Sequence, residues 1–173
     1  LIACVREDNP TVLIKHKKMF GVSGPVPQEL YEVPIGVAAT LREGSDLTVV
    51  SYSRMVTEAL EAAECLATEG IECEVIDLRT VQPLDIETVI ASVRRTNRVV
   101  VVHEAVRFGG LGGEIAAQVQ EHAFDYLDAP IGRVAAPFAP VPFSPALESQ
   151  YVPDAARIAE GIRGCLGLRP FIG

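Results

Sequence analysis

A histidine and a glutamate follow the strongest strand signal in the sequence. Residues 99–102 form a continuous β-branched run, typical of a strand buried on both faces of a parallel sheet, and His103 and Glu104 come directly after it. Ligands of open α/β sheets bind at the carboxyl ends of strands, so this pair could line a site or an interface. A polar strand end bonded to the next loop explains the pair equally well. A zinc protease motif is excluded because Arg107 stands where the second histidine would be.

The glycine-rich loop Gly109-Gly110-Leu111-Gly112-Gly113 leads from this strand into a predicted helix. Such a loop can hold a phosphate on its free backbone N–H groups. The dinucleotide-binding fingerprint is broken at Ile115, where its third glycine would stand, and no P-loop lysine follows. We therefore favour a tight turn with close helix–sheet packing. A small-anion-binding or regulatory α/β module that uses this loop is the alternative.

Arg79 follows another predicted strand and lies between Asp77 and Asp85 in the sequence. Its guanidinium could bind a carboxylate or phosphate through two parallel hydrogen bonds. The simpler interpretation, which we favour, is an arginine–aspartate brace with Asp85 as the cap of the next helix.

Three acidic residues, Glu121, Asp125 and Asp128, surround the end of the helix that follows the glycine loop. Charged groups of this kind are usually just solvated. The functional alternative is docking of a basic partner, because complementary charge speeds association and fixes register.

Strands and helices alternate from about residue 37 onwards and position these groups. Strands are predicted at 37–41, 47–52, 73–78, 98–102 and 130–135, and helices at 56–67, 86–95, 114–124 and 155–166. Ser53 is a candidate helix cap, and a proline-rich loop is expected after residue 136. The alternation indicates right-handed crossovers and a mostly parallel sheet. The short turn at 42–46 predicts that the first two strands form an antiparallel hairpin.

The N-terminal region has a different pattern. Residues 1–8 predict a helix, residues 11–15 a short strand, and residues 16–34 a linker rich in glycine and proline. Because the chain opens on an apolar run without an initiator Met, we expect it to be a fragment of a longer protein.

Composition narrows the class of protein. The 173 residues are 49% hydrophobic, enough for one domain with a substantial core. A net charge of −8 argues against nucleic acid as a partner. No apolar run approaches the roughly 18 residues of a membrane span. The four cysteines form no CxxC pair and are typical of reduced thiols in a cytosolic protein.

A series of short motifs resembles, in order, the C-terminal domain of the beta subunit of thiamine-diphosphate-dependent 2-oxo acid dehydrogenases. The resemblance covers residues 1 to about 167 and extends more loosely to transketolase C-terminal domains. Its motifs are residues 33–36, 42–48, 74–80 with Pro83 and Asp85, 91–93, 96–98, 102–105, the glycine loop with Glu114 and Ile115, and Phe124 with 127–130.

The resemblance implies a three-layer α/β/α fold. Its five-stranded mixed sheet would be mostly parallel, with the first strand antiparallel to the rest. Residues 1–24 would be the tail of a preceding pyrimidine-binding domain and a linker, and residues 25–173 the transketolase C-terminal-like domain.

The resemblance also implies a function. The parent enzyme, an oxidoreductase, would decarboxylate a 2-oxo acid with thiamine diphosphate and magnesium and pass the acyl group to lipoamide. In the family, the preceding pyrimidine-binding domain and the alpha subunit supply the catalytic, cofactor-binding and metal-binding residues. None is therefore expected here, and the chain alone should be inactive. The motifs do not distinguish pyruvate, branched-chain 2-oxo acids and acetoin as substrates.

By resemblance, this domain supports assembly with an alpha subunit and a second beta subunit into an alpha2-beta2 heterotetramer. It would also bind the subunit-binding domain of the lipoyl acyltransferase core, with Asp128 at the position of a docking aspartate. The family adds the C-terminal carboxylate to that contact, whereas this chain continues through residues 168–173. The expected location is the cytoplasm, or the mitochondrial matrix in a eukaryote.

Overall fold

The computed structural model describes residues 1–168, and a five-stranded sheet forms its centre. The elements are α1 (Ile2–Arg6), β1 (Ala39–Arg42), β2 (Leu47–Ser51), α2 (Met55–Ala67), β3 (Cys73–Asp77), α3 (Ile86–Thr96), β4 (Val99–Val106), α4 (Leu111–Ala123), β5 (Gly132–Ala136), α5 (Pro145–Tyr151) and α6 (Ala155–Cys165). Short 3-10 turns lie at Lys17–Gly21 and Phe124–Tyr126.

The strand order across the sheet is β1-β3-β2-β4-β5. β1 runs antiparallel to β3, whereas β2, β3, β4 and β5 are mutually parallel. Helices α2 and α6 pack on one face of the sheet, and α3 and α4 pack on the other. The predicted three-layer α/β/α fold with an antiparallel first strand is confirmed.

The predicted hairpin between the first two strands is wrong, because β3 lies between β1 and β2. The turn at 42–46 passes over the start of β3 instead of folding β1 back onto β2. The backbone N–H groups of Ser45 and Asp46 both donate to the carbonyl of Glu72 (3.0 and 2.9 Å). Gly44 lies so close to the Cys73 backbone that a Cβ there would overlap it, which explains the glycine at this crossing.

Strand β4 is buried on both faces, as its β-branched run predicts. Val100 and Val102 belong to the cluster shared with α2 and α6, whereas Val99 and Val101 belong to the cluster shared with α3 and α4. Successive side chains of a strand point to opposite faces, so a valine at every position fills both layers. The strand is longer than predicted and carries His103 and Glu104 within it.

Two helix starts differ from the sequence prediction. Ser53 does not cap α2: it adopts a positive φ of 57°, and Arg54 occupies the N-cap without a side-chain cap bond. Helix α5 forms inside the segment predicted to be a proline-rich loop. Pro145 stands in its first turn, where the missing N–H costs nothing, so this proline starts a helix.

The N-terminal segment, residues 1–38, contributes no strand to the sheet. The strand predicted at 11–15 is wrong: these residues form no strand, and Val12 and Ile14 are exposed on the surface. A strand needs a hydrogen-bonded neighbour, and within residues 1–168 no strand pairs with residues 11–15. No helix within residues 1–168 is both long and apolar enough to cross a bilayer.

Candidate functional site

His103 lies in β4 and is completely buried. Its Nδ1 is 3.0 Å from the carbonyl oxygen of Ala105, which can only accept, so Nδ1 carries the proton. Nε2 then holds a lone pair, and it has no hydrogen-bond partner within the described residues. The ring stacks on Tyr52 with centroids 6.4 Å apart. Burial lowers the pKa of His103, so the imidazole is neutral at pH 7.

The glycine loop packs directly against this imidazole. A Cβ on Gly110 would lie 2.7 Å from Cε1 of His103, and one on Gly112 would collide with Nε2. The space between β4 and the first turn of α4 is therefore filled by the ring. A phosphate cradled on the loop would need that space. The geometry favours the packing interpretation of the loop over anion binding.

Glu104, next in the strand, lines a small cavity at the carboxyl ends of β2 and β4. Its Oε2 lies 3.0 Å from Nε2 of His16, which joins the N-terminal segment to the end of β4. Burial, and then the charge of Glu104, raise the pKa of Tyr52 nearby. The cavity has a volume of about 190 Å³ and is lined by His16, Tyr52, Ser53, Arg54, Met55, Glu104 and Ala105.

Arg79 lies away from these groups, because β2 separates the end of β3 from the end of β4. Arg79 is exposed with a φ of 55°, and its backbone N–H donates to Asp77 at 3.0 Å. Asp85 caps α3 as predicted, accepting from the N–H groups of Thr88 (3.1 Å) and Ala38 (2.8 Å). Burial alone would raise the pKa of Asp85, but these hydrogen bonds lower it. His103, Glu104 and Arg79 do not form one site.

The cysteines provide no activated nucleophile in the core. Cys73 and Cys165 are buried, and burial raises the pKa of Cys73 to about 12. A thiol needs a lowered pKa to react as a thiolate.

The acidic surface consists of Glu121, Asp125 and Asp128, all exposed at the carboxyl end of α4 and in the turn after it. Aromatic side chains lie among them, with Phe124 63% and Tyr126 44% exposed. Aromatic side chains are enriched at protein contact surfaces relative to the rest of the surface. This surface is the strongest candidate for a functional site within residues 1–168.

Sequence reasoning did not find the residues that organise the acidic surface. Asn97 and Arg98, at the end of α3, contact the turn that carries Asp128. Arg94 lies over the Tyr126 ring, 5.3 Å from its centroid. A signal was present, since an asparagine directly after a helix often adopts the left-handed conformation that ends it.

Family comparison agrees with the fold. The model of the transketolase C-terminal domain matches residues 36–158. The chain belongs to the transketolase C-terminal domain family. A solved structure described as a split gene transketolase, an inactive beta4 tetramer, superposes with a TM-score of 0.72 at 31% identity, covering 80% of this chain and 45% of that one.

Curated relatives are beta subunits of oxidoreductases, which confirms the resemblance inferred from the motifs. The acetoin:2,6-dichlorophenolindophenol oxidoreductase subunit beta of Cupriavidus necator is 47% identical over 94% of this chain and 48% of that protein. The pyruvate dehydrogenase E1 component subunit beta of Rickettsia felis is 43% identical over 94% of this chain and 50% of that protein. The chain spans about half the length of these curated relatives.

Proposed function

We propose that residues 25–173 form the assembly and docking domain of the beta subunit of a 2-oxo acid or acetoin dehydrogenase. Residues 1–24 would be the end of a preceding pyrimidine-binding domain and its linker. The proposal rests on the relatives, which are beta subunits, and on one observation in this chain: an exposed acidic surface that neighbouring residues hold in place. The expected compartment is the cytoplasm, or the mitochondrial matrix in a eukaryote.

Exposed apolar side chains support an assembly role. They are dense along the N-terminal segment: Val5, Val12, Ile14, Phe20, Val22, Val26 and Leu30. A second group lies around the 5.0 Å contact of Phe108 with Phe138. Contiguous apolar surface is rare on monomers and usually marks a protein contact. An alpha subunit and a second beta subunit, in an alpha2-beta2 heterotetramer, are the partners we propose for these surfaces.

Thiamine diphosphate and magnesium do not fit the residues described here. Within residues 1–168, no three His, Cys, Asp or Glu side chains come together as a metal site. The glycine loop, the natural place for a diphosphate, is filled by His103. We propose, as the resemblance to the family implies, that the cofactor and the decarboxylation chemistry belong to other parts of the parent enzyme.

Absence of activity is the first test. The purified 173-residue chain, mixed with thiamine diphosphate, magnesium and pyruvate, a branched-chain 2-oxo acid or acetoin, should release no product. Turnover that follows the chain through purification would overturn the assignment of a non-catalytic domain.

Docking is the second test. The proposed partner is the basic subunit-binding domain of the lipoyl acyltransferase core, which would bind the acidic surface through Asp128. Calorimetric titration with that domain should show saturable binding that weakens with salt, because exposed charges are screened. Asp128→Asn should reduce the affinity at least about tenfold, as expected for a charge-assisted contact.

The matched control for the docking test is Glu64→Gln. Glu64 is an exposed carboxylate of α2, on the face of the sheet opposite to α4. The substitution therefore removes one negative charge, as Asp128→Asn does, but far from the acidic surface. Equal affinities of the Asp128 and Glu64 variants would place the docking site away from the acidic surface. The C-terminal carboxylate that the resemblance adds to this contact lies outside the described residues.

A further inference from the structure

The strand order creates a crevice between the carboxyl ends of β2 and β4. The chain passes from β2 to β3 on one side of the sheet and then crosses back over β2 to reach β4 on the other side. In open α/β sheets, ligands bind where the strand order reverses in this way. The cavity of about 190 Å³ lies at these strand ends. We call it the switch-point cavity, lined by residues 52–55 after β2, residues 104 and 105 of β4, and His16.

Glu104 has a carboxylate oxygen available to a ligand of this cavity. Its Oε2 lies 3.0 Å from Nε2 of His16, whereas its Oε1 has no hydrogen-bond partner within residues 1–168. The Glu104 side chain is 38% exposed, so it is partly withdrawn from water. A partly desolvated carboxylate forms stronger hydrogen bonds to a charged donor than one in bulk water does.

The charges around the switch-point cavity favour a cation over an anion. Arg54, also in the lining, donates to Glu58 at 3.1 Å, so its positive charge is already matched by a carboxylate. Burial, and then the charge of Glu104, raise the pKa of Tyr52, and no positive group among the described residues lowers it. The potential at the Tyr52 hydroxyl is therefore set by the negative charge of Glu104.

The rest of the lining is mostly apolar. Met55 is 1% exposed and belongs to the core, and the partly buried ring of Tyr52 stacks on His103. Ala105 adds a small side chain at the surface. A cavity of about 150 Å³ accommodates a ring of six carbons, so the switch-point cavity can hold a ligand of similar size. Apolar walls with a few convergent polar groups are typical of small-molecule sites.

We propose that the switch-point cavity binds a small aliphatic primary amine. The ammonium group donates to Oε1 of Glu104, and the carbon chain lies against Tyr52, Met55 and Ala105. The charge of Glu104 provides the selectivity for a cation, and the volume of the cavity limits the length of the chain. This site is separate from the acidic surface, so it does not depend on the proposed docking function.

The test is a titration of the full 173-residue chain with n-butylamine at pH 7.5, followed by amide NMR spectra. Saturable shifts are expected at residues 52–55 and 103–105, with a dissociation constant in the millimolar range, as suits a ligand of about five non-hydrogen atoms. n-Butanol and butyrate keep the carbon chain but replace the charge, and both should bind at least about tenfold more weakly. Equal affinity for the three compounds, or shifts confined to other residues, would overturn the proposal.

Glu104→Gln removes the charge while it keeps the shape of the side chain. It should weaken the binding of n-butylamine at least about tenfold. Glu64→Gln is the matched control, because it removes one exposed carboxylate of α2 that does not line the cavity. This control should bind like the parent chain. Equal losses in the two variants would show that binding follows the net charge, and the assignment to Glu104 would then be wrong.

Ala105→Leu tests the cavity itself. Ala105 is exposed, so the fold tolerates a larger side chain there, and that side chain takes up part of the cavity. Binding of n-butylamine should be lost, whereas the thermal unfolding temperature should change little. Unchanged affinity in a folded Ala105→Leu chain would place the amine elsewhere and contradict the proposal. Docking through Asp128 is measured separately, so failure of one proposal leaves the other intact.

Discussion

Helix α4 begins in a buried environment and ends in an exposed one. At its start, Gly110 and Gly112 lie against the buried ring of His103. At its end, Glu121 and Asp125 are exposed beside aromatic rings. The start has the composition of a ligand-binding loop but is filled by a side chain. The end has the composition of an ordinary solvated surface but is organised by contacts from α3. Residue type alone therefore does not show what packs against either end.

The largest expected effect is at the buried start. Gly112→Ala should lower the free energy of unfolding by about 2–3 kcal/mol, because the new Cβ collides with the His103 ring in a closely packed layer. Gly113→Ala is the matched control, since its Cβ would meet nothing nearer than an Arg133 nitrogen at 3.7 Å. Alanine in place of glycine in a helix should leave stability unchanged or raise it by up to about 1 kcal/mol. Urea denaturation measures both, and equal losses would contradict close packing at the first position.

A change of pH should have a smaller effect on the free energy of unfolding, through His103 at the start of α4. Because burial lowers the pKa of His103, the unfolded chain binds a proton that the folded chain does not. Stability is therefore complete above the ordinary histidine pKa of about 6.5 and is lost as pH falls below it. The slope from this one group is at most about 1.4 kcal/mol per pH unit.

The control for the pH effect is His103→Gln, which removes the titrating group. Only the pH dependence of the two chains is compared, so a change in the overall stability of the variant does not affect the test. Unfolding free energies of both chains, measured between pH 7.5 and pH 5.0, should diverge in their pH dependence at the acidic side. Parallel curves would show that His103 titrates normally and would break the contrast between the ends of α4.

The smallest effect is expected at the exposed end. Arg94 over the Tyr126 ring is an exposed cation–π contact, worth about 0.5–1 kcal/mol. A double-mutant cycle of Arg94→Gln and Tyr126→Leu should show a coupling of that size in urea denaturation. Additive effects of the two changes would mean that the contact of Arg94 with the Tyr126 ring does not stabilise the turn after α4.

Local signals in the sequence predicted most elements, because they depend on neighbouring residues. Asp85 as the cap of α3 and the valine run of β4 are confirmed, since the sequence signal of a cap lies within the next turn and that of a buried strand lies in its own residues. The hairpin failed because the turn at 42–46 does not reveal that a third strand inserts between the first two.

The candidate site was less accessible to sequence reasoning for a related reason. Glu121, Asp125 and Asp128 were recognisable as a group because they are close in the sequence. Their organisation depends on Asn97 and Arg98, which are distant in sequence and brought near by the packing of α3 against α4. Likewise, nothing in the glycine loop indicates that the ring of His103 occupies the space beside it.

The position of β1 at the sheet edge has a consequence for how the chain folds. Ala39 pairs with Asp77 and Thr40 with Ile76, so the strand partner of β1 is β3, which lies beyond β2 and α2 in the sequence. Pairing across such a separation carries a larger loop-closure entropy than a hairpin and slows folding. We expect β1 to join the sheet late, on a parallel core that nucleates from β2, β3 and β4. The backbone amides of β1, the first strand along the chain, would then be among the last to be protected from hydrogen exchange during folding.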